Sequence, residues 1–321
     1  MTHEEQIARW IGPGKTGVEI GAFKSPVPGL VPPPFYVDCF KEFGFEAVHA
    51  DYYGHATALP FRDNSLDYVV TSHVLEHVAN PVAAFAEWYR VLRPGGIIYL
   101  LVPDRRFTWD HPRPLTPVDH FLEDYERGTT PADATHIDDF ALGLDWSQFS
   151  PATPAAEIPA QRTTLARGMH EAVARGEHLN IHFHTFEPAN LRALIERLRT
   201  WPRTQFNWTL LETAERFPAS NPIGCLAVIR VDKRWRDRLA ALRLMRAVGR
   251  PAGKDETVAG LLARTAQTAN NTRHLWAPLC IAALNTDIAD ATHMVVGDQN
   301  DAFGQAIVEF LIRRHGAEVV S

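Results

Sequence analysis

The chain has 321 residues, 45% hydrophobic and 22% charged, with a formal net charge of -6 and a pI near 6.2. That size buries a full core with room for one large domain and an appendage, and the acidic balance gives no global attraction to nucleic acid or anionic membranes. Cys39, Cys225 and Cys280 form no C-x-x-C pair and no uncharged apolar stretch of ~18 residues occurs, which argues against a disulfide framework, a membrane span or secretion and for a reducing cytoplasm.

Residues 3 to 11 are expected to form a short helix. Gly17-Val18-Glu19-Ile20-Gly21 is then an apolar, β-type run that stops on an acid, a glycine and a turn. A buried parallel strand ends this way where it delivers its carboxyl end to a ligand crevice. Pro26 to Pro34 is a stiff proline-rich loop, and Phe35-Tyr36-Val37-Asp38 is a second strand ending in a carboxylate placed to accept from both hydroxyls of a ribose. The dinucleotide fingerprint G-x-G-x-x-G is missing, because Phe23 stands where its second glycine belongs. A nucleoside without phosphates is therefore favoured over NAD or FAD.

Ala47-Val48-His49-Ala50 reads as a third strand with Asp51 to Ala56 as the loop at its end. Leu66 to Val70 reads as a fourth strand opening onto Thr71-Ser72-His73. Asn80 caps a helix that starts at Pro81 and carries Phe85, Trp88 and Leu92 on one face; Pro94-Gly95-Gly96 ends it, and Ile97 to Val102 is a strand buried on both faces. Strand and crossover alternate through residues 16–103, which calls for an α/β fold with a mainly parallel sheet flanked by helices.

From about 104 to 180, prolines, charges, histidines and aromatics intermingle, the composition of an inserted lid or substrate-binding region. His182-Phe183-His184-Thr185-Phe186 leads into a helix after Pro188, and Trp208 to Arg216 and Ile223 to Val231 read as a closing antiparallel hairpin. Residues 1–231 are thus one domain and 232–321 a helical extension, opened by a basic amphipathic helix and expected to serve packing or homo-oligomer contacts.

At these residues the chain resembles the Rossmann-like class I S-adenosylmethionine-dependent methyltransferases of the type 11-like group. The carriers are Val18-Glu19-Ile20-Gly21, Asp38, Ala58-Leu59-Pro60-Phe61, Leu66-Asp67-Tyr68-Val69-Val70, His73-Val74-Leu75-Glu76-His77-Val78 and Val91-Leu92-Arg93-Pro94-Gly95-Gly96, over residues 14–103. Glu19-Ile20-Gly21 with Ser25-Pro26, Pro103 to Thr108 and His182 to Phe186 further resemble a bacterial branch associated with glycan and surface-polysaccharide pathways, extending the likeness to about 231. Leu275 to Thr286 resembles a segment of squalene-associated flavin-dependent desaturases, a likeness limited to about 256–310 that implies no flavin without a glycine motif.

The resemblance implies S-adenosyl-L-methionine as cofactor and a seven-stranded sheet. It implies that Glu19, Gly21 and Ala22 line the amino-acid moiety, that Asp38 holds the ribose, and that His55, Ala56 and Ser72 complete the cofactor site. Glu19 has the alternative of organising the loop through backbone amides. His55 departs from the acidic residue the family uses against adenine, and Asp51 or the Ala56 backbone can replace it. Methyl transfer to a hydroxyl needs in-line alignment and a base, for which His73 at the strand edge and His184 are the candidates, among fifteen histidines that include His111, His120, His136 and His182. A metal site from His182, His184 and Asp104 has no diagnostic spacing, so no metal is expected. The acceptor expected is a small molecule or sugar. The competing reading is a non-catalytic nucleoside-binding protein that keeps the fold, with Phe23 and His55 weakening its cofactor site.

Overall fold

The apolar runs pair, in a computed structural model that describes residues 1–43 and 46–233, into a seven-stranded sheet. Its strands are β1 (Gly17–Ile20), β2 (Phe35–Asp38), β5 (Tyr52–Tyr53), β6 (Leu66–Ser72), β7 (Leu92–Pro103), β8 (Trp208–Phe217) and β9 (Gly224–Val231); β3 (Glu42–Phe43) and β4 (Glu46–Ala47) form a small separate hairpin. The order is β5-β2-β1-β6-β7-β9-β8, with every strand parallel except β9, which runs antiparallel to both its neighbours. Strand order reverses between β1 and β6, and the crevice outside that reversal is where open α/β sheets bind ligands.

Alternation along the strands accounts for the two cores. Val18, Val69, Ile98, Leu100, Ala227 and Ile229 point to the face covered by α2 (Pro81–Val91) and α7 (Pro188–Thr200), where Phe85, Trp88, Leu194 and Trp208 complete the larger cluster. Tyr68, Val70, Tyr99, Leu101, Leu226 and Val228 take the other face, with Ile7 of α1 (His3–Trp10) and Val27 and Leu30 of the proline-rich loop. Indole N–H groups buried in the first core are satisfied, Trp88 by the Ala56 carbonyl at 3.0 Å and Trp208 by that of Ile195 at 3.1 Å. α2 starts as its sequence dictates: the Asn80 side chain accepts the Ala83 N–H at 3.0 Å and Pro81 occupies the first turn.

The expected third strand is corrected. Ala47 pairs back onto the β3 side, and the strand beside β2 is Tyr52–Tyr53, from the stretch read as a loop. The region 104–180 holds four helices, α3 (Val118–Arg127), α4 (Ile137–Gly143), α5 (Trp146–Phe149) and α6 (Ile158–Ala174); α4 and α6 build a third apolar cluster with Leu144, Leu179, Ile181 and Phe183, while Phe121 and Leu122 of α3 join the first core. Among the described residues no helix is long and apolar enough to cross a membrane. The chain divides into two units, Met1–Lys233 and Arg234–Ser321. The helical extension, its oligomer contacts and the desaturase-like segment lie outside the described residues.

Candidate active site

Strand ends build the site. The chain leaves β1 at Gly21 with φ +70°, and its amide donates to the Val37 carbonyl at 2.8 Å. A Cβ at Gly21 would stand 2.5 Å from Cγ2 of Val74, so only glycine lets the loop after β1 close against the loop after β6. Phe23 follows with φ 43° and a ring 37% exposed, the Lys24 ammonium 5.6 Å from its centre. The turn thus keeps a left-handed residue without a glycine, at a cost of about 1 kcal/mol.

Glu19 is buried in β1. Its Oε1 accepts the Val27 N–H at 2.7 Å, fastening the proline-rich loop, while Oε2 has no partner among the described residues. Burial pushes this carboxyl up to about 7. At the end of β2, the Asp38 Oδ1 accepts the Phe40 N–H at 2.9 Å and its carbonyl accepts from Gly54. Ala56 is buried with its carbonyl engaged by Trp88, and His55 is exposed with its ring 5.9 Å from that of His178. Asp51 is engaged with β2, its Oδ2 accepting the Tyr36 N–H at 2.8 Å. Ala22 follows Gly21 in the first loop, and Ser72 is the last residue of β6.

Beyond Ser72, His73 has φ 55°, an uncommon conformation for a residue with a side chain. It opens onto the turn Leu75–His77, where Glu76 is sealed. The His73 Nδ1 is 3.7 Å and the His77 Nε2 4.0 Å from Oε1 of Glu76, whose Oε2 is without a partner among the described residues. Burial raises Glu76 to about 7. Burial first, and then the neighbouring His182 charge, lower His73 and His77 to about 4. His182 meets His77 edge to face with centroids 4.6 Å apart, and its Nδ1 lies 2.5 Å from Oδ2 of Asp110. Asp110 is bonded in turn by the fully buried Arg113 at 2.7 Å, which also reaches Asp139. Burial alone would raise the Asp110 carboxyl, but the bonds and charges of His182 and Arg113 outweigh it and hold it below the ordinary range.

His184 is placed elsewhere. It is sealed from solvent, with Nε2 2.9 Å from Oδ2 of Asp124, and burial lowers it to about 4. A base must reach an acceptor, so the catalytic role expected of His184 is not supported by this placement. His182 and His184 serve different carboxylates, Asp110 and Asp124. Asp104 belongs to neither cluster, since it binds Arg106 at 2.6 Å and bridges to Phe186. His111 pairs with Asp145 at 3.5 Å. Sequence reasoning passed over Glu76, His77, Asp110 and Asp124 as site residues. The available signal for the first two was their position in a turn immediately after a strand end at the reversal point.

Residues 37–100 match the family described as Methyltransferase domain. Over 43 residues the chain is 56% identical to a demethylmenaquinone methyltransferase of Renibacterium salmoninarum, covering 13% of this chain and 18% of that protein. It is 38% identical over 66 residues to the "Probable S-adenosylmethionine-dependent methyltransferase" of Mycolicibacterium smegmatis, covering 20% and 26%. The matches thus span about a quarter or less of these curated relatives. A solved S-adenosylmethionine-dependent methyltransferase from Methanosarcina mazei is 15% identical with a TM-score of 0.37, covering 72% of this chain and 99% of that one. By its own strand order and the antiparallel β9, the sheet has the Rossmann-like class I methyltransferase arrangement, and the matched stretch, from the end of β2 into β7, is methyltransferase-domain sequence.

Proposed function

We propose that this chain is an S-adenosylmethionine-dependent methyltransferase acting on a hydroxyl of a small molecule or sugar. The observation that supports the reading is that Gly21, Asp38 and His73 follow or close the carboxyl ends of the adjacent parallel strands β1, β2 and β6, beside the reversal in strand order, in a chain whose residues 37–100 are methyltransferase-domain sequence. The residues present fit the cofactor. Gly21 lets the loop after β1 pack against Val74 at the head of the crevice, and Glu19 keeps an unpartnered buried oxygen beside the turn.

Bound there, the sulfonium of the cofactor supplies an electrophilic methyl group. Asp38 accepts from the ribose hydroxyls, the Glu19 Oε2 accepts from the ammonium, and Ala22, His55, Ala56 and Ser72 line the rest of the crevice. His73 serves as base. Its Nδ1 faces Glu76, which leaves Nε2 to take the proton of the acceptor hydroxyl. An ionised Glu76, with Oε1 3.7 Å away, offsets the charge of the imidazolium. A sugar acceptor in a cell-envelope pathway is supported by the resemblance of Ser25-Pro26, Pro103 to Thr108 and His182 to Phe186 to a glycan-associated branch, and the net charge of -6 argues against nucleic acid.

Calorimetric titration with S-adenosylhomocysteine tests the cofactor assignment. Binding in the micromolar range is expected, weakened at least ~10-fold in Asp38→Ala with an unchanged melting temperature, since a charged acceptor of two hydrogen bonds contributes about 1.5–3 kcal/mol per bond. Absence of heat at about 1 mM ligand, a range that corresponds to only ~4 kcal/mol of binding, would overturn the reading in favour of a non-catalytic protein with this fold.

A further inference from the structure

The inserted helices carry a second cluster of histidines that the transfer chemistry does not use. His120 and Asp124 sit four residues apart on one face of α3, His136 immediately precedes α4, and His184 lies on the segment leading to α7. Around Oδ2 of Asp124 the Nε2 atoms of His184, His136 and His120 stand at 2.9, 3.3 and 3.4 Å, and one ligand atom from each of the four residues lies within 4.8 Å of every other. We propose that these four residues form a closed, structural site for a zinc(II)-class divalent cation.

The spacing is that of a coordination shell. A tetrahedral zinc with bonds of about 2.0–2.1 Å has ligand-to-ligand edges of about 3.3–3.4 Å. Two of those edges, from Asp124 to His136 and to His120, already have that length, and the third, to His184 at 2.9 Å, needs to open by about 0.4 Å. Charge points the same way. The insertion buries two aspartates against histidines, and Asp110 has the buried guanidinium of Arg113 to neutralise it. Asp124 is equally sealed, but among the described residues it is paired with no Lys or Arg; besides the three imidazoles, its Oδ1 receives only the Thr129 hydroxyl at 2.9 Å. A carboxylate so deep in the protein needs a cation or a proton, and a metal ion coordinated by the surrounding imidazoles supplies the former.

Donor chemistry selects the ion. Three imidazole nitrogens and one carboxylate oxygen suit zinc, and four protein ligands leave no open position for a reactive water, which marks the site as structural. Orientation is prepared as well: Thr129 holds the carboxylate, and Asn80, the cap of α2, donates to the Asp124 carbonyl at 3.2 Å. An ion here clamps α3 and the start of α4 to the segment 182–186, which is joined to the end of β7 through the Asp104–Phe186 bridge.

The test uses the full chain, stripped with a chelator, dialysed and titrated with zinc(II) and, separately, cobalt(II). About one equivalent should bind, with the strong visible bands of four-coordinate cobalt and a raised melting temperature. His120→Ala, whose side chain is 31% exposed and least needed for packing, should fold and lose at least ~100-fold in zinc affinity together with those bands. His182→Ala should bind the ion unchanged. Three results would each overturn the site: less than about 0.1 equivalent bound without stabilisation, unchanged affinity in His120→Ala, or loss of the ion on His182→Ala, which would move it to Glu76, His77 and His182.

Discussion

Nδ1 of His73 stands 3.7 Å from Oε1 of Glu76, across a turn that the chain enters with His73 in the left-handed region at φ 55°. The backbone strain sets the imidazole over a carboxylate that is otherwise sealed. It is the closest approach of an acid to a histidine at the end of β6 among the described residues, and the proposed chemistry turns on it.

If this pair removes the acceptor's proton, His73→Ala lowers kcat at least ~10²-fold, the usual share of general acid–base catalysis. Affinity for S-adenosylhomocysteine should stay within about threefold, because base catalysis and cofactor binding use different groups. A radiometric methyl-transfer assay beside calorimetry reads both quantities, and wild-type turnover in the variant would remove His73 from the chemistry.

Glu76 also leaves a pH signature. Its folded-state pKa, raised by burial to about 7, lies above the ordinary value of 4.5, so the folded protein binds the extra proton between those limits. The contribution of Glu76 to stability is therefore fully present below about pH 4.5 and is lost as pH rises through about 7. Glu76→Gln keeps the shape and cannot ionise, so its stability relative to wild type should rise by up to about 3 kcal/mol from pH 5 to pH 8. Denaturant melts at the two pH values measure the difference; parallel shifts of wild type and variant would show that Glu76 ionises as freely in the fold as out of it.

Gly21→Ala meets two obstacles, a left-handed φ and the methyl group of Val74 at 2.5 Å. A loss of about 1–2 kcal/mol is expected from the backbone and steric terms, together with weaker cofactor binding. Val74→Ala added to Gly21→Ala should restore the steric part. Equal stability of the single and double variants would mean that the two loops do not hold each other closed.

Asn80 is asked to cap α2 with its oxygen and to reach Asp124 with its nitrogen. Asn80→Ala should cost about 1–2 kcal/mol, and Asn80→Asp, which keeps the acceptor alone, about half of that. Chemical denaturation of both variants separates the two bonds.

What the sequence made legible follows from how local each signal is. β1, β2 and the start of α2 are marked by residues next to one another: an acid and glycine closing an apolar run, an aspartate at a strand end, an Asn-Pro pair before a helical stripe. Ala47-Val48-His49-Ala50 misled because Val48 is buried as a strand residue would be, whereas the true edge strand, Tyr52–Tyr53, is exposed and carries no apolar run to announce it. α6 was missed because its 17 residues bury only Ala166 fully, leaving little helical periodicity to read. The histidine clusters were beyond reach for a different reason. His182 and His184 share a side of an extended segment by counting, yet Asp110 and Asp124, which separate them, are 72 and 60 residues away in the chain.

β9 lies between β7 and β8, although it is the last of the seven strands to be made. On the ribosome, β7 therefore emerges with one edge open, and its partner follows more than a hundred residues later, after the whole helical insertion. An open, strongly apolar edge invites pairing with another nascent chain, so the interval before β9 arrives sets how long β7 is exposed to such pairing.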